Sequence, residues 1–329
     1  MDISIIIVNW NSIDYLRECI SSIYEYTSRL FEIIVVDNAS PAGDAASLER
    51  ESCRFNLIKS EVNLGFAGAN NLGFRNSSGK YILFLNPDTK LVSPAIDQML
   101  QAMETVHDAG ILGCTLLNED LSVQTSCIQT FPTILNQLLD SDWLRRRLPN
   151  SKLWGTWPIY QNDEKLAKVE VISGACMLVQ RQVFEQAGLF SEEYFMYAED
   201  LDLCYKVKSH GRSNYYLGTT RLVHYGGKSS NFEKATQMKW KSIVQFCEKH
   251  RGGLYALFFR IVMAFAAFGR LLTIAGMGIL RTTSGAPEPS RSSFVKWKIV
   301  LRAVLTPRRR LPHSRNENRG VPECGTSHS

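Results

Sequence analysis

Short β-branched runs alternate with amphipathic stretches through the first half of the chain. Ile3 to Val8, Glu32 to Val36, Asn56 to Lys59, Tyr81 to Leu85 and Gly110 to Leu117 have strand length, and their largely continuous apolar character suits parallel strands covered on both faces. Between the first two, Ile13, Leu16, Ile20 and Ile23 recur at helical spacing behind Ser12, a suitable N-cap. Ser93-Pro94 opens another helix, with Ile96, Met99, Leu100 and Met103 on one face. Strand, helix and strand in repetition predict an α/β fold with a mostly parallel sheet flanked by helices. A further strand is expected over Val169 to Val179, then a helix from Arg181 to Ala187. Residues 119 to 168 are weakly periodic, with Trp143, Trp154 and Trp157 near Arg145-Arg146-Arg147, and are expected to form an irregular insertion near the site.

Ligands of such sheets bind beyond the carboxyl ends of the strands. Three predicted strands end in polar residues: Asn9-Trp10-Asn11, Asp37-Asn38 and Asn86-Pro87-Asp88. Any one of these would serve as an ordinary turn, but three at one edge point to a site. Asp88 offers a hard oxygen to Mg²⁺ or Mn²⁺, and Asn86 could support it directly or through water. A second cluster, Glu199-Asp200-Leu201-Asp202, opens a helix on which Leu201, Cys204 and Tyr205 keep helical spacing. Acids in a first turn are favoured by the helix dipole. Three of them beside Phe195, Met196 and Tyr197 exceed what a cap needs, and like charge with apolar neighbours raises a carboxyl pKa toward the range of a general base. Asp200 is the first candidate for that role, with Glu199 and Asp202 as rivals.

Between the clusters, Asn63 to Gly73 form a glycine-punctuated loop running into a short helix, where backbone amides can approach phosphates. The loop lacks G-x-G-x-x-G spacing, which speaks against a dehydrogenase. Downstream, His224-Tyr225-Gly226-Gly227-Lys228 puts an imidazole and a cation in a glycine-rich segment able to close over a diphosphate or a metal.

Taken in order, VNWN, VVDNAS, NLGFAGANNLGF, YILFLNPDT, SGACMLVQR, FMYAEDLDLC and LVHYGGKSS resemble the family 2 glycosyltransferases of the GT-A fold, particularly their rhamnosyltransferase-like branch. The likeness covers about residues 1 to 250. It implies a Rossmann-like catalytic domain that moves a sugar from a dTDP or UDP donor to a saccharide hydroxyl with inversion. Asp37 would read the base, Asp88 would hold Mg²⁺ or Mn²⁺, and the general base would lie in Glu199-Asp200; His224, from its own segment, is the further candidate for the metal. Nucleotide-sugar contacts fall on Val8, Asn9, Asn11, Asp37, Asn38, Asn63, Gly65, Asn70, Asn86 and Lys228. The common Asp-x-Asp is Asn86-Pro87-Asp88 here, one carboxylate where many relatives have two, and Asn70-Asn71 replace a frequent Arg-Asn. A phosphate cation is therefore sought in Lys228 or Arg75. The alternatives are a glycosyltransferase-like protein that binds nucleotide sugars without catalysis, and a nucleotidyltransferase. The three acids argue against the first, and the absence of a basic glycine loop at Asn9-Trp10-Asn11 against the second.

The 329 residues suffice for a substantial core, and the eight cysteines show no close metal or redox spacing. Met1-Asp2 carries no basic n-region and Ile3 to Val8 is too short for an h-region, so the N-terminal part is expected to stay in the cytosol. The formal net charge is +5, with the basic excess after residue 239. There, Leu254 to Leu280 is almost wholly apolar but interrupted by Arg260 and Arg270. A helix lying in the membrane interface fits this better than a transmembrane span, and a soluble hairpin packed on the catalytic domain is the third reading. Phe294 to Leu305 mixes Lys296, Lys298 and Arg302 with Trp297, Ile299 and Val300, as a second basic amphipathic helix would. The expected division is a catalytic domain over 1–250, a membrane-associating helical region over 251–305 and a disordered tail over 306–329. Expected partners are the nucleotide-sugar donor, a saccharide acceptor on a polyprenyl diphosphate in bacterial cell-surface polysaccharide synthesis, and the cytoplasmic face of a membrane, with no nucleic acid.

Overall fold

A computed structural model describes residues 1–41, 43–160, 166–226, 232–282 and 291–306. Lys228 and the tail from 307 onward lie outside the described residues. In chain order the strands are β1 (Ile3–Asn9), β2 (Phe31–Asp37), β3 (Asn56–Lys59), β4 (Tyr81–Leu85), β5 (Thr89–Leu91), β6 (Ala109–Leu117), β7 (Ile128–Gln129), β8 (Leu166–Val169), β9 (Val171–Ile172), β10 (Cys176–Gln180) and β11 (Ser213–His224). The main sheet runs β3-β2-β1-β4-β10-β6-β11-β5, with β8 also on β11. β3, β2, β1 and β4 are parallel, β10 is antiparallel between β4 and β6, and β6 and β11 are again parallel. β5 and β8 also pair with β11 antiparallel, so the sheet is mixed, with six of its nine strands running in one direction, and is flanked by helices.

Hydrophobic runs explain the central position of these strands. All residues of β4 and β6 are buried, so neither face of the sheet is open to water there. Helix Ile13–Tyr26 covers it with Leu16, Cys19, Ile20 and Ile23, and helix Ala95–Thr105 with Ile96, Met99, Leu100 and Met103. Ser12 does occupy the N-cap position, but its hydroxyl donates to the Trp10 carbonyl instead of capping.

The continuous strand expected over Val169 to Val179 is instead three short ones. β8 joins the sheet edge at β11, β9 pairs with β7, and β10 enters the sheet between β4 and β6. The break falls at Ser173-Gly174, where the chain leaves the sheet and contacts the acidic helix Glu199–Ser209.

A second hydrophobic cluster lies among helices Phe232–Arg251, Gly253–Thr282 and Arg291–Leu305, built on Trp240, Ile243, Phe259, Met263, Trp297 and Val300. Helix Phe232–Arg251 belongs to both units, because its Phe246 packs in the core around the sheet. Asp202 is one tie. Its fully buried carboxylate accepts from Ser191 Oγ (2.6 Å) and His250 Nε2 (2.7 Å), and it pairs with Lys249 at 2.9 Å and Lys206 at 3.3 Å.

Candidate active site

Parallel pairing of β1 and β2 sets Asn9 opposite Asp37 at the carboxyl edge. Asn9 is fully buried, and its Nδ2 lies 3.0 Å from Asp37 Oδ1, 3.1 Å from Asp44 Oδ2 and 3.2 Å from Ser40 Oγ. One amide thus orients two buried carboxylates, while Asn9 Oδ1 has no hydrogen-bond partner among the described residues. Asn11 takes φ 53° and donates its backbone N–H to Ser40 Oγ at 3.0 Å. Val8, half-buried, precedes this cluster on β1.

Asn38 shapes the glycine loop. Its Nδ2 donates to Asn63 Oδ1 (3.1 Å) and to the Gly65 carbonyl (3.2 Å), and its Oδ1 accepts from Leu64 N (2.8 Å). Asn63 Oδ1 also accepts from Gly65 N at 2.9 Å. Gly65 has φ +72°, and a Cβ there would lie 2.2 Å from the Phe195 carbonyl oxygen. That position requires glycine both for its backbone and for its space. Phe66 N then donates to the same carbonyl at 2.9 Å, which ties the loop to the segment ahead of the acidic helix.

On the other side of β1, the residues after β4 meet the end of β11. His224 pairs with Thr89 of β5, and its Nε2 stands 3.4 Å from Asp88 Oδ1 and 3.3 Å from Asn86 Nδ2. Gln124, from the irregular insertion, donates Nε2–H to the His224 carbonyl (2.5 Å), so its Oε1 is the atom facing His224 Nδ1 at 2.9 Å. That puts a proton on Nδ1; in the neutral ring Nε2 then carries the lone pair, as in a metal-ligating histidine held by an outer partner. Two electron-pair donors, Asp88 Oδ1 and His224 Nε2, then face each other across a gap that suits a cation. These residues fit a divalent metal with one hard oxygen and one imidazole, its other positions left to water and phosphate. Among the described residues, no group of three or more His, Cys, Asp or Glu side chains forms a closed metal cage.

The acidic helix begins after two consecutive left-handed residues, Tyr197 (φ 69°) and Ala198 (φ 67°). Non-glycine residues hold that conformation at a cost of about 1–3 kcal/mol each, and such strain concentrates at sites. Asp200 stays partly open to solvent, with Oδ1 accepting from Leu201 N (2.8 Å) and Oδ2 from Gly174 N (3.2 Å). Burial within the surrounding protein raises its pKa, offset in part by those N–H groups and by Lys239. Glu199 is buried, and burial followed by the charges of Asp200 and Asp202 pushes its carboxyl well above the usual glutamate range. The two titrate as a pair. Asp202 is the opposite case: despite its burial, hydrogen bonds from His250, Ser191 and Lys249 hold it far below the usual carboxylate range.

One short bridge connects these parts. Asn86 N donates to the Ala175 carbonyl at 2.9 Å, and the preceding residue, Gly174, contacts Asp200. Asp37, Asn38, Gly65, Asp88, His224 and Asp200 therefore share the carboxyl edge of the sheet. Asn70 does not present its amide there, since its Nδ2 donates to the Phe66 carbonyl within its own helix (2.9 Å). Arg75 is engaged by Glu192 at 3.2 Å. Asp44, Ser40, Gln124 and Gly174 join the site without having been singled out from the sequence. Asp44 reads as an ordinary first-turn acid, and Gln124 lies 100 residues from its partner in a weakly patterned segment.

The family profile described as Glycosyl transferase family 2 matches residues 4–188. The chain belongs to glycosyl transferase family 2. Its rhamnosyltransferase-like character shows in its relatives. The low-salt glycan biosynthesis hexosyltransferase Agl10 of Haloferax volcanii is 31% identical over 229 residues, 68% of this chain and 66% of that protein. The N-acetylglucosaminyl-diphospho-decaprenol L-rhamnosyltransferase of Mycobacterium tuberculosis is 26% identical, over 71% of this chain and 79% of that one. Rhamnosyltransferase WbbL of Escherichia coli is 25% identical, over 75% and 93%. In fold, this family 2 transferase is similar to the mannosyltransferase PcManGT of Pyrobaculum calidifontis solved with GDP-Man and Mn²⁺, with TM-score 0.57 and 18% identity over 92% of this chain and 85% of that one. It is also similar to GalNAc-T7 solved with UDP, GalNAc and Mn²⁺, with TM-score 0.55 and 14% identity over 75% and 48%.

Proposed function

We propose that this family 2 transferase moves rhamnose or a similar hexose from a dTDP- or UDP-linked donor to a hydroxyl of a saccharide carried on a polyprenyl diphosphate. The transfer inverts the anomeric centre in one displacement and serves polysaccharide synthesis at the cytoplasmic face of a membrane. The observation that carries the reading is the bridge Asn86–Ala175 and Gly174–Asp200, which sets a base candidate beside the Asp88–His224 pair.

In this reading Asp37, steadied by Asn9, accepts from the donor's base. The backbone of the glycine loop, shaped by Asn38, lies along the nucleotide. Asp88 and His224 would hold Mg²⁺ or Mn²⁺, which when bound supplies neutralisation of the departing diphosphate. Asp200 takes the proton of the attacking hydroxyl as the new C–O bond forms and the bond to the diphosphate breaks. It suits this role better than its neighbours: Glu199 lies deeper, and Asp202 already holds its four partners. The Mycobacterium tuberculosis relative, named for a diphospho-decaprenol substrate, supports a lipid-linked acceptor.

Exposed apolar residues Leu254, Leu257, Phe258, Ile261, Phe265 and Phe268 form one stripe along helix Gly253–Thr282. Arg260 turns inward to the carbonyls of Val304 and Thr306, and Arg270 to those of Leu138 and Asp140. An uncharged outer stripe with satisfied inner guanidiniums supports a helix lying in the membrane interface. The transfer is tested by nucleotide diphosphate release from a donor panel in membranes containing the purified protein. Asp200→Asn is expected to lower turnover by about 10²- to 10⁴-fold, the usual contribution of a general base. Unchanged turnover would move the base elsewhere.

A further inference from the structure

Helix Ile13–Tyr26 does more than cover the sheet. Beside the apolar stripe of Leu16, Ile20 and Ile23, the residues Tyr15, Glu18, Cys19 and Ser22 stand at i, i+3, i+4 and i+7 and meet the chain after β4 and the end of β11. The inner members of this column fix β5. Ser22 Oγ accepts from Leu91 N at 3.0 Å, and Cys19 Sγ lies 3.4 Å from Thr89 Oγ1, whose hydroxyl donates to the Asn86 carbonyl at 2.8 Å. The outer members reach further. Glu18 uses both carboxylate oxygens: Oε1 accepts from Lys90 Nζ at 2.6 Å and Oε2 from Tyr225 Oη at 3.1 Å. The Tyr225 ring packs on Tyr15 with centroids 5.3 Å apart, and its backbone N–H donates to the Asp88 carbonyl at 2.9 Å. Glu18 therefore joins the residue two beyond Asp88 to the residue just beyond His224. Packing the helix on β5 does not need this carboxylate, since Cys19 and Ser22 already meet that strand.

Resting on the Asp88 and His224 metal reading proposed above, we infer that Glu18 is a positioning residue for that pair. The ladder between β5 and β11 has its last pair at Thr89 and His224, so the imidazole sits where strands fray most readily. By gripping Lys90 and Tyr225 at once, Glu18 holds this end closed and keeps His224 Nε2 at 3.4 Å from Asp88 Oδ1. That spacing matters because the described residues form no closed metal cage, and an ion with few protein ligands depends on those ligands being preset. Glu18, Lys90 and Tyr225 are half-buried, where an ion pair adds little to global stability, so the clasp acts locally.

The test combines two readouts on the full chain in detergent. Amide hydrogen exchange at Tyr225 reports the grip without any metal, and titration with Mn²⁺, followed by the EPR signal of the free ion, reports its effect on the site. Glu18→Ala is expected to speed exchange at Tyr225 about tenfold and to weaken Mn²⁺ binding about tenfold, the low end of what losing an outer partner costs. The amides of β1 and β2 should exchange as before. Tyr225→Phe, which deletes only the hydroxyl, should show most of both effects. Glu18→Gln, which can still accept from Tyr225, should show little of either. Unchanged exchange at Tyr225 in Glu18→Ala would overturn the clasp. Faster exchange with Mn²⁺ binding unaltered would overturn the positioning role by leaving Glu18 a purely structural tie. A loss of protection spread over β1 and β2 would do so too, by making Glu18 a determinant of the whole fold. Failure of the metal reading looks different: the original releases nucleotide diphosphate but takes up no Mn²⁺, while exchange at Tyr225 still responds to Glu18. That result would withdraw the metal and the positioning role together.

Discussion

Around the sheet, β4 and β6 bury every residue, and the polar side chains of the site gather at one edge. Helix Gly253–Thr282 does the reverse: Leu254, Phe258 and Phe265 stand in solvent while Arg260 and Arg270 are folded inward onto carbonyl oxygens. Fixed acids and amides need burial and hydrogen bonds to hold direction, whereas withdrawn guanidiniums and outward hydrocarbon are what the proposed interfacial helix would need. One tie between the two units is Asp202, a carboxylate only two residues from Asp200 with the opposite fate. Asp200 is left partly open with a raised pKa, and Asp202 is closed in by four donors with a depressed one.

Cutting that joint has the largest expected effect. Asp202→Ala leaves Lys249, Lys206 and His250 without their shared partner and should cost about 3–5 kcal/mol of stability, read by thermal unfolding. A small change would mean that the helical unit does not depend on this tie. The sign of its pH dependence follows from the depressed folded pKa. The stabilisation is complete above the unfolded value of about 4 and is lost as pH falls toward the lower folded value. Acid unfolding of Asp202→Ala should therefore lack part of the steep loss seen in the original.

Gln124→Leu comes next. It frees the His224 ring to change tautomer, and the concentration of Mn²⁺ giving half-maximal activity should rise about 10- to 100-fold. Activity that persists in excess EDTA would remove the metal from the account. The Glu199/Asp200 pair sets a third expectation. Because burial raises both, the acid limb of kcat/KM should lie above the ordinary carboxylate value of about 4, with activity lost as pH falls through that raised value. A limb at about 4 would mean that water reaches the pair freely. The smallest stability effect belongs to the outer stripe. Phe258→Ser with Phe265→Ser should change stability by only about 0.5 kcal/mol, as exposed substitutions do, while vesicle binding measured by flotation falls. Undiminished flotation would leave the stripe without its lipid role.

Much of the site was legible before folding. The strands announced themselves as apolar runs, and Asn9, Asp37 and Asp88 followed them directly, so their shared edge was a consequence of parallel order. The acids at 199–202 were legible as a helix start. Their division of labour was not, because it depends on His250 and Lys249 arriving from another helix and on Gly174 arriving from the break in the Val169–Val179 run. Asn70 was expected among the nucleotide-sugar contacts yet donates its amide within its own helix. Gln124 carried no local mark, since a lone glutamine in an irregular stretch acquires meaning only beside a histidine.

The order of residues by itself determined the alternation of strand and helix, the polar strand ends and the apolar C-terminal run with its two arginines, because periodicity and local propensity act over a few residues. Tertiary structure alone decided which acid stays open, which histidine nitrogen keeps its proton and which way the guanidiniums turn. Those outcomes are set by burial and by donors brought from distant parts of the chain.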